Sequence, residues 1–451
     1  MTTPIYKALL DYINKDISRL HMPGHKGKNV YNINNLWQYD ITEIENLDNL
    51  LDSQGVIKQT EDIYKKIYNS KLSVITTQGS TLGIQMMLTA SIMATKNKSK
   101  KIIIDRNVHI SAINTMALLD LEPIWIFRNK FIDRFSPGQI LLEDLERVII
   151  NNPEAQIVYI TSPNYFGQVE DLKSISKICK KYNKFLLVDN AHGAHFKFIS
   201  KNLHPMEFEC SACCDSLHKT LPVLTGGALL HVFDERLIKY IKKSQRIYSS
   251  TSPSYLTMLS IDRLVSYIFK NLKKDYDLLF VELEKLKDLA KINGLDILES
   301  CKDPTKFVFG SGIFNCSANE LAEILRKNKI EPEYVSEYWI VLMFSPQNNN
   351  KDFERLKEFI NNINNIFEKI KLKNNFEFFK NFKPQRRLSI REALMSDFKT
   401  VSLLKSLGKV SASSVVTCPP CVPVVTPGEI INQEVIDLLS KQKVCFIDIV
   451  C

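Results

Sequence analysis

Between Ser73 and about Phe233, short apolar, β-branched runs alternate with longer helix-like segments, and few folds accept that pattern. The runs fall at 74–77, 102–105, 124–127, 157–161 and 185–189, with helical character at 82–95, 141–150 and 172–182. Strands apolar at every position are buried on both faces, which argues an α/β fold with a mainly parallel sheet between two helical layers. At 451 residues the chain exceeds one such unit. Changes in character predict an N-terminal segment (1–70), a large unit (71–298), a small α+β domain (299–372) and a C-terminal section (373–451).

Composition narrows the function classes. With 45% hydrophobic and 24% charged residues, the chain reads as an ordinary globular protein. No apolar run approaches the roughly 20 residues that cross a bilayer. Residues 1–11 lack a basic stretch followed by an apolar one, so no secretory signal is expected, and the expected location is cytoplasmic. Ten cysteines then read as free thiols. The two CxxC pairs, Cys210/Cys213 and Cys418/Cys421, lie about two hundred residues apart, far beyond a zinc-ribbon spacing, so no metal site is expected. The formal charge of +9 has its densest run at 96–101. That run carries no interleaved aromatics and reads as a solvated loop, with neither nucleic acid nor membrane as partner.

Sheets of this kind bind ligands beyond the carboxyl ends of their strands. Residues 78–81, 105–109, 162–167 and 189–193 are polar loops at such ends. Asp189 closes one apolar run, and Lys219 follows thirty residues later in Ser216-Leu217-His218-Lys219. That pair is what pyridoxal phosphate chemistry requires. A lysine amine condenses with the cofactor aldehyde, and a carboxylate keeps the pyridine nitrogen protonated so that the ring accepts electrons. Such a lysine needs a depressed amine pKa, which a neighbouring cation and partial burial supply. Ala191 is small enough to lie flat against the ring, and His109, at another strand end, either stacks on it or serves a structural role. Gly79-Ser80-Thr81 opens a helix whose N–H groups, dipole and hydroxyls suit a phosphate dianion, without the nucleotide P-loop pattern. Ser216 and His218 flank the lysine, placed either to reach the phosphate or to hold the lysine.

Together these segments resemble the Orn/Lys/Arg decarboxylases, fold-type-I pyridoxal phosphate enzymes with the aspartate-aminotransferase-like fold. The resemblance runs along most of the chain, in order. It begins with His21-Met22-Pro23-Gly24-His25-Lys26-Gly27, Asp40-Ile41-Thr42-Glu43 and Leu47-Asp48, and continues through Arg106-Asn107-Val108-His109 and the loop 162–167. Asp189-Asn190-Ala191-His192-Gly193, Ser216 to Pro222, Ser249 to Tyr255, and Pro419-Pro420 with Pro427-Gly428-Glu429 complete it. The length suits the family's short form, without a wing domain. The resemblance implies Lys219 as the cofactor-bound lysine, Asp189 as the pyridinium partner and His109 as the stacking group. Ser80, Thr81, Ser216 and His218 would serve the phosphate. Ala191 and His192 would line the ring and the reacting carboxylate, and Lys219 or His192 would return the proton. It also implies decarboxylation of arginine or lysine ahead of ornithine, by a homodimer. The 21–27 loop and the 249–255 segment would approach the partner's active site.

The chain departs from the family pattern at three places. Asn190 stands where the family has glutamate, Leu47-Asp48-Asn49-Leu50-Leu51 replaces Leu-Asp-Asp-Leu-His, and Cys418 and Cys421 replace an aromatic residue and a glycine. A desolvated cationic side chain needs a carboxylate partner, for which Asp48, Glu43 and Glu392 are the candidates. Two other readings remain open on sequence: an aminotransferase or lyase on the same scaffold, or a cofactor-binding homologue without turnover that serves as a binding or regulatory protein.

Overall fold

The computed structural model describes residues 14–21, 24–26, 28–29, 36–44, 47–95, 99–128, 138–199, 203–369, 384–416 and 423–451. Seven strands form the main sheet: β1 (Leu72–Thr76), β2 (Lys101–Asp105), β3 (Glu122–Ile126), β4 (Ile157–Thr161), β5 (Phe185–Asp189), β6 (Ala212–Asp215) and β7 (Ala228–Val232). Their order is β1-β7-β6-β5-β4-β2-β3. Strands β2 to β6 run parallel, while β7 lies antiparallel to both β1 and β6. The α/β expectation holds. The alternation of buried runs did not single out β7, because a fully buried antiparallel strand has the same apolar pattern as a parallel one.

Alternate residues of each strand feed two separate cores. Ile102, Ile104, Tyr159 and Leu187 pack on one face, and Ile103, Val158, Ile160 and Val188 on the other. The period-2 geometry of a strand makes this division, and helices cover both sides. The helix Gly79–Ala94 is apolar on nearly every side because it is sandwiched between the sheet and the helix Glu235–Tyr248. Ser244 Oγ donates to Met86 O across that contact (3.2 Å).

A second, antiparallel sheet runs Tyr334–Val335, Ile340–Met343, Lys306–Gly310, Asp296–Ile297. Phe307, Phe309 and Leu342 point into a core with the helices Ala318–Lys327 and Asn350–Ile366. The other face carries Val308, Val341 and Met343, which bury Phe166 of the loop after β4. The small sheet therefore packs directly on the carboxyl-end rim of the large one. Near the C-terminus, Phe398–Ser402 pairs antiparallel with Phe446–Val450. Buried Glu429 reaches back to Arg106 of the rim (3.1 Å). Cys418, Pro419, Pro420 and Cys421 lie outside the described residues, as do Met22, Pro23, Gly27 and 96–98. Cys210, Cys213 and Cys214 are buried free thiols, and burial pushes each thiol pKa up. Among the described residues, no helix is long and apolar enough to cross a membrane.

Candidate active site

Four rim loops and the turn after β6 meet around one small cavity. Ser80, His109, Asp189, Ala191, His192 and Lys219 all line it. Asp189 reaches this position because β5 ends there. Its Oδ1 accepts the Ala191 N–H (3.1 Å) and its Oδ2 accepts the Tyr159 hydroxyl (3.4 Å). Burial raises the Asp189 pKa against the opposing pull of the Lys219 charge. A carboxylate so placed is stabilised by a cation brought into the cavity.

Lys219 sits in the short helix Leu217–Thr220, and its Nζ lies 3.0 Å from His192 Nε2. Burial first, then the Lys219 charge, drives the His192 pKa well below its ordinary value, so the imidazole is neutral. It accepts at Nε2 from the lysine. His109 caps the helix Ile110–Leu119. Its Nδ1 accepts the Ser111 N–H (3.2 Å) and lies 2.8 Å from Ser111 Oγ, which fixes the ring. Burial and Lys219 push His109 down to about 4.

The other predicted residues are near but not on the cavity wall. Thr81 is exposed on the first turn of its helix. Ser216 is buried, with its Oγ unpartnered among the described residues. His218 turns toward Gly227 O, at 3.2 Å from Nδ1. Burial also pushes His218 down to about 4. Gly79, at φ +69°, lets the chain turn from β1 into the helix that presents Ser80.

Asn190 spends its amide on a buried carboxylate that does not line the cavity. Its Nδ2 donates to Asp215 Oδ1 (2.7 Å), one strand over. His204 Nε2 donates to Asp215 Oδ2 (2.9 Å), with His231 Nε2 at 3.4 Å. These three groups lie within metal-ligand reach of one another. His204 Nδ1, however, accepts the Met206 N–H (3.3 Å), which leaves the proton on Nε2 and makes the contact a hydrogen bond. Despite burial, His204 and His231 hold the Asp215 carboxyl well below the usual range.

Two candidate acids for the substrate side chain are already engaged. Asp48 accepts the N–H groups of Asn49, Gln54, Gly55, Ile57 and Lys58, capping the helix Val56–Tyr68. Glu392 closes a capping box with Ser389, in a cleft with Lys101 and Glu122 at the amino ends of the strands. Glu43 keeps a buried Oε1 with no partner among the described residues.

Sequence reasoning missed the residues that brace the site. The resemblance implies that the 21–27 loop approaches a partner. Within the chain, Gly24 N–H donates to His218 O (2.6 Å), and a Cβ on Gly24 would lie 2.5 Å from Leu221 O. Buried Lys26 donates from Nζ to His21 O (2.6 Å) and Met343 O (2.9 Å), pinning that loop to the small sheet. Tyr165 also lines the cavity, edge-on to His192 at 4.7 Å between ring centroids. Only its position in a rim loop could have drawn attention to it.

Comparison with known proteins places the chain in a family. Residues 3–289 match the family model "Orn/Lys/Arg decarboxylase, major domain", and residues 371–445 match "Orn/Lys/Arg decarboxylase, C-terminal domain". The arginine decarboxylase of Bacillus subtilis is 27% identical over 466 residues, covering 97% of this chain and 93% of the relative. The constitutive lysine decarboxylase of Escherichia coli is 22% identical over 60% of this chain and 41% of its own. The solved structure of the Escherichia coli constitutive lysine decarboxylase superimposes with a TM-score of 0.72 at 17% identity, covering 100% of this chain and 82% of that one. At that identity it establishes the fold.

Proposed function

The chain belongs to the Orn/Lys/Arg decarboxylase family, and on that premise we propose that it decarboxylates a basic amino acid at the Lys219 cavity, arginine ahead of lysine and ornithine. Membership makes it an amino-acid decarboxylase of the pyridoxal phosphate-dependent kind. Arginine comes first because the arginine decarboxylase of Bacillus subtilis is matched along 93% of its length, whereas the Escherichia coli lysine decarboxylase is matched along 41%. The family match also argues against the aminotransferase and turnover-free readings. As in the family, we take the working unit to be a homodimer in the cytoplasm.

The residues present fit the cofactor. Buried Asp189 would be stabilised by a cationic ring nitrogen, and the helix opening at Gly79 has no side-chain cap on its first turn, where a phosphate could sit. Ser216 Oγ, Thr161 Oγ1 and His192 Nδ1 are buried polar atoms without partners among the described residues. When bound, pyridoxal phosphate supplies an aldehyde that joins primary amines and a cationic ring that takes up the electrons of the broken Cα–carboxylate bond.

Lys219 would hold the cofactor aldehyde, Asp189 its ring nitrogen, and Ser80, Thr81, Ser216 and His218 its phosphate. His109 and Ala191 would flank the ring. The chain's own contribution is orientation and proton handling. His192 is neutral and 3.0 Å from the Lys219 amine, so a proton held on one nitrogen can pass to the other and on to Cα. Tyr165 closes the cavity beside that pair and limits water. Of the three candidate acids, Glu43 keeps an oxygen without a partner among the described residues, which favours it for the substrate's cationic end. The single observation that carries this reading is the meeting of Lys219, Asp189, His192 and His109 in one cavity.

The test is mass spectrometry of cofactor-loaded protein given arginine, lysine or ornithine. We expect agmatine from arginine, with Lys219→Ala at the blank level, a loss of more than about a thousandfold. Absence of amine from all three substrates would overturn the reading.

A further inference from the structure

The cavity wall formed by the loop after β4 is clasped from outside by residues 300–306, the segment that leads into the small sheet at Lys306. The N–H groups of Lys302 and Asp303 both donate to Gly167 O (2.8 and 3.0 Å), and Gln168 Nε2 donates to Ser300 Oγ (2.7 Å). Gly167, at φ +79°, is pressed so close that a Cβ would meet Cys301 Sγ at 2.7 Å. Lys306 closes the clasp. It is 0% exposed, and its Nζ donates to Tyr165 O (2.8 Å) and Asn164 O (3.3 Å). The same ammonium stands 5.6 Å from the Tyr165 ring centroid.

A wholly buried ammonium is costly unless its protons and charge are engaged. Asp303 engages the charge, itself tied to His195 Nε2 (2.9 Å) and the Thr305 hydroxyl (2.7 Å). The protons are directed to the two carbonyls of the loop that carries Tyr165, and Tyr165 in turn stands edge-on to His192. The Tyr165 hydroxyl is anchored on Glu333 of the small sheet, so the ring is fixed at both ends.

We propose that Lys306 is a positioning residue for the reaction: by holding the Asn164 and Tyr165 carbonyl oxygens it sets the Tyr165 ring against the His192 imidazole that faces Lys219. The role at the reaction rests on the decarboxylase reading above; the geometry it fixes does not. After burial, the charges of Lys219 and Lys306 favour the neutral form of His192. Removing Lys306 therefore shifts both the place of the imidazole and its proton affinity, the latter upward.

The experiment compares wild type with Lys306→Met, which keeps the volume but no donor, and Lys306→Gln, which keeps an N–H donor on a shorter stem. In cofactor-free protein, NMR of the His192 ring protons reports the Tyr165 contact. We expect a clear shift for methionine and a smaller one for glutamine. With cofactor and arginine, kcat falls roughly 10- to 100-fold for methionine, less for glutamine, with little change in KM. The acid limb of the kcat profile moves to higher pH. Unchanged His192 shifts together with unchanged kcat in folded Lys306→Met overturn the proposal; should that variant not fold, the same result in Lys306→Gln does so. If wild type yields no amine at all, the ring shifts still decide on the geometry.

Discussion

The two ends of the main sheet treat charge in opposite ways. At the amino end, Lys101 pairs with Glu154 (2.8 Å) and Lys100 with Asp120, all exposed, and Glu392 caps its helix in contact with solvent. At the carboxyl end, Asp189, Asp215, His192, Lys306 and Lys26 are all buried, and hydrogen bonds from distant parts of the chain hold them. Water screens the first set, so each pair contributes little. The second set lies in a low-dielectric site, where each charge depends on a particular partner and each loss is felt. One sheet thus carries a tolerant end and a demanding end, and the chemistry sits at the demanding one.

Substitution should expose that asymmetry. The largest effect is expected from Asp189→Asn, which keeps the shape but not the charge opposite the cofactor nitrogen. We expect kcat/KM to fall roughly 100- to 1000-fold with cofactor still bound, read by amine formation and the bound cofactor's absorbance. Asn190→Ala removes a donor from the buried Asp215 carboxylate, and urea denaturation should show a loss of about 1.5–3 kcal/mol.

The demanding end is also pH-sensitive. His109 and His218, lowered from 6.5 to about 4, favour folding while neutral. That contribution is fully present above pH 6.5 and is lost as pH falls toward 4. The urea midpoint of cofactor-free protein should therefore drop across this window, and less steeply in His218→Gln. The smallest effect belongs to the tolerant end. Lys101→Ala should leave melting temperature and kcat at wild-type values, and a loss of activity there would break the comparison.

The rim was legible in the sequence because strands that end on polar residues must present them at one edge of a parallel sheet. Asp189, His109, Ala191, His192, Ser80 and Lys219 needed no coordinates to be grouped. Other readings had a local cue that tertiary packing overrode. Asp48 stood in an acidic family motif, yet its carboxylate is spent on a helix N-terminus formed by residues that follow it. Glu392 was a candidate for its charge, yet it lies at the amino end of the sheet.

The sequence by itself determined the parallel strands that carry the rim, its loaded edge and the spacing of Asp189 from Lys219, since apolar periodicity and short spacings are local properties of the chain. It also determined the family. Only the tertiary structure decided what braces the site: Gly24 against the lysine turn, Lys26 on the small sheet, Asp215 beneath Asn190, Glu429 on Arg106, and Lys306 behind Tyr165. Those contacts join residues dozens to hundreds of positions apart, and a buried polar side chain leaves no periodic mark. Its partner is chosen by the packing of whole sheets against each other, which no short stretch of sequence encodes.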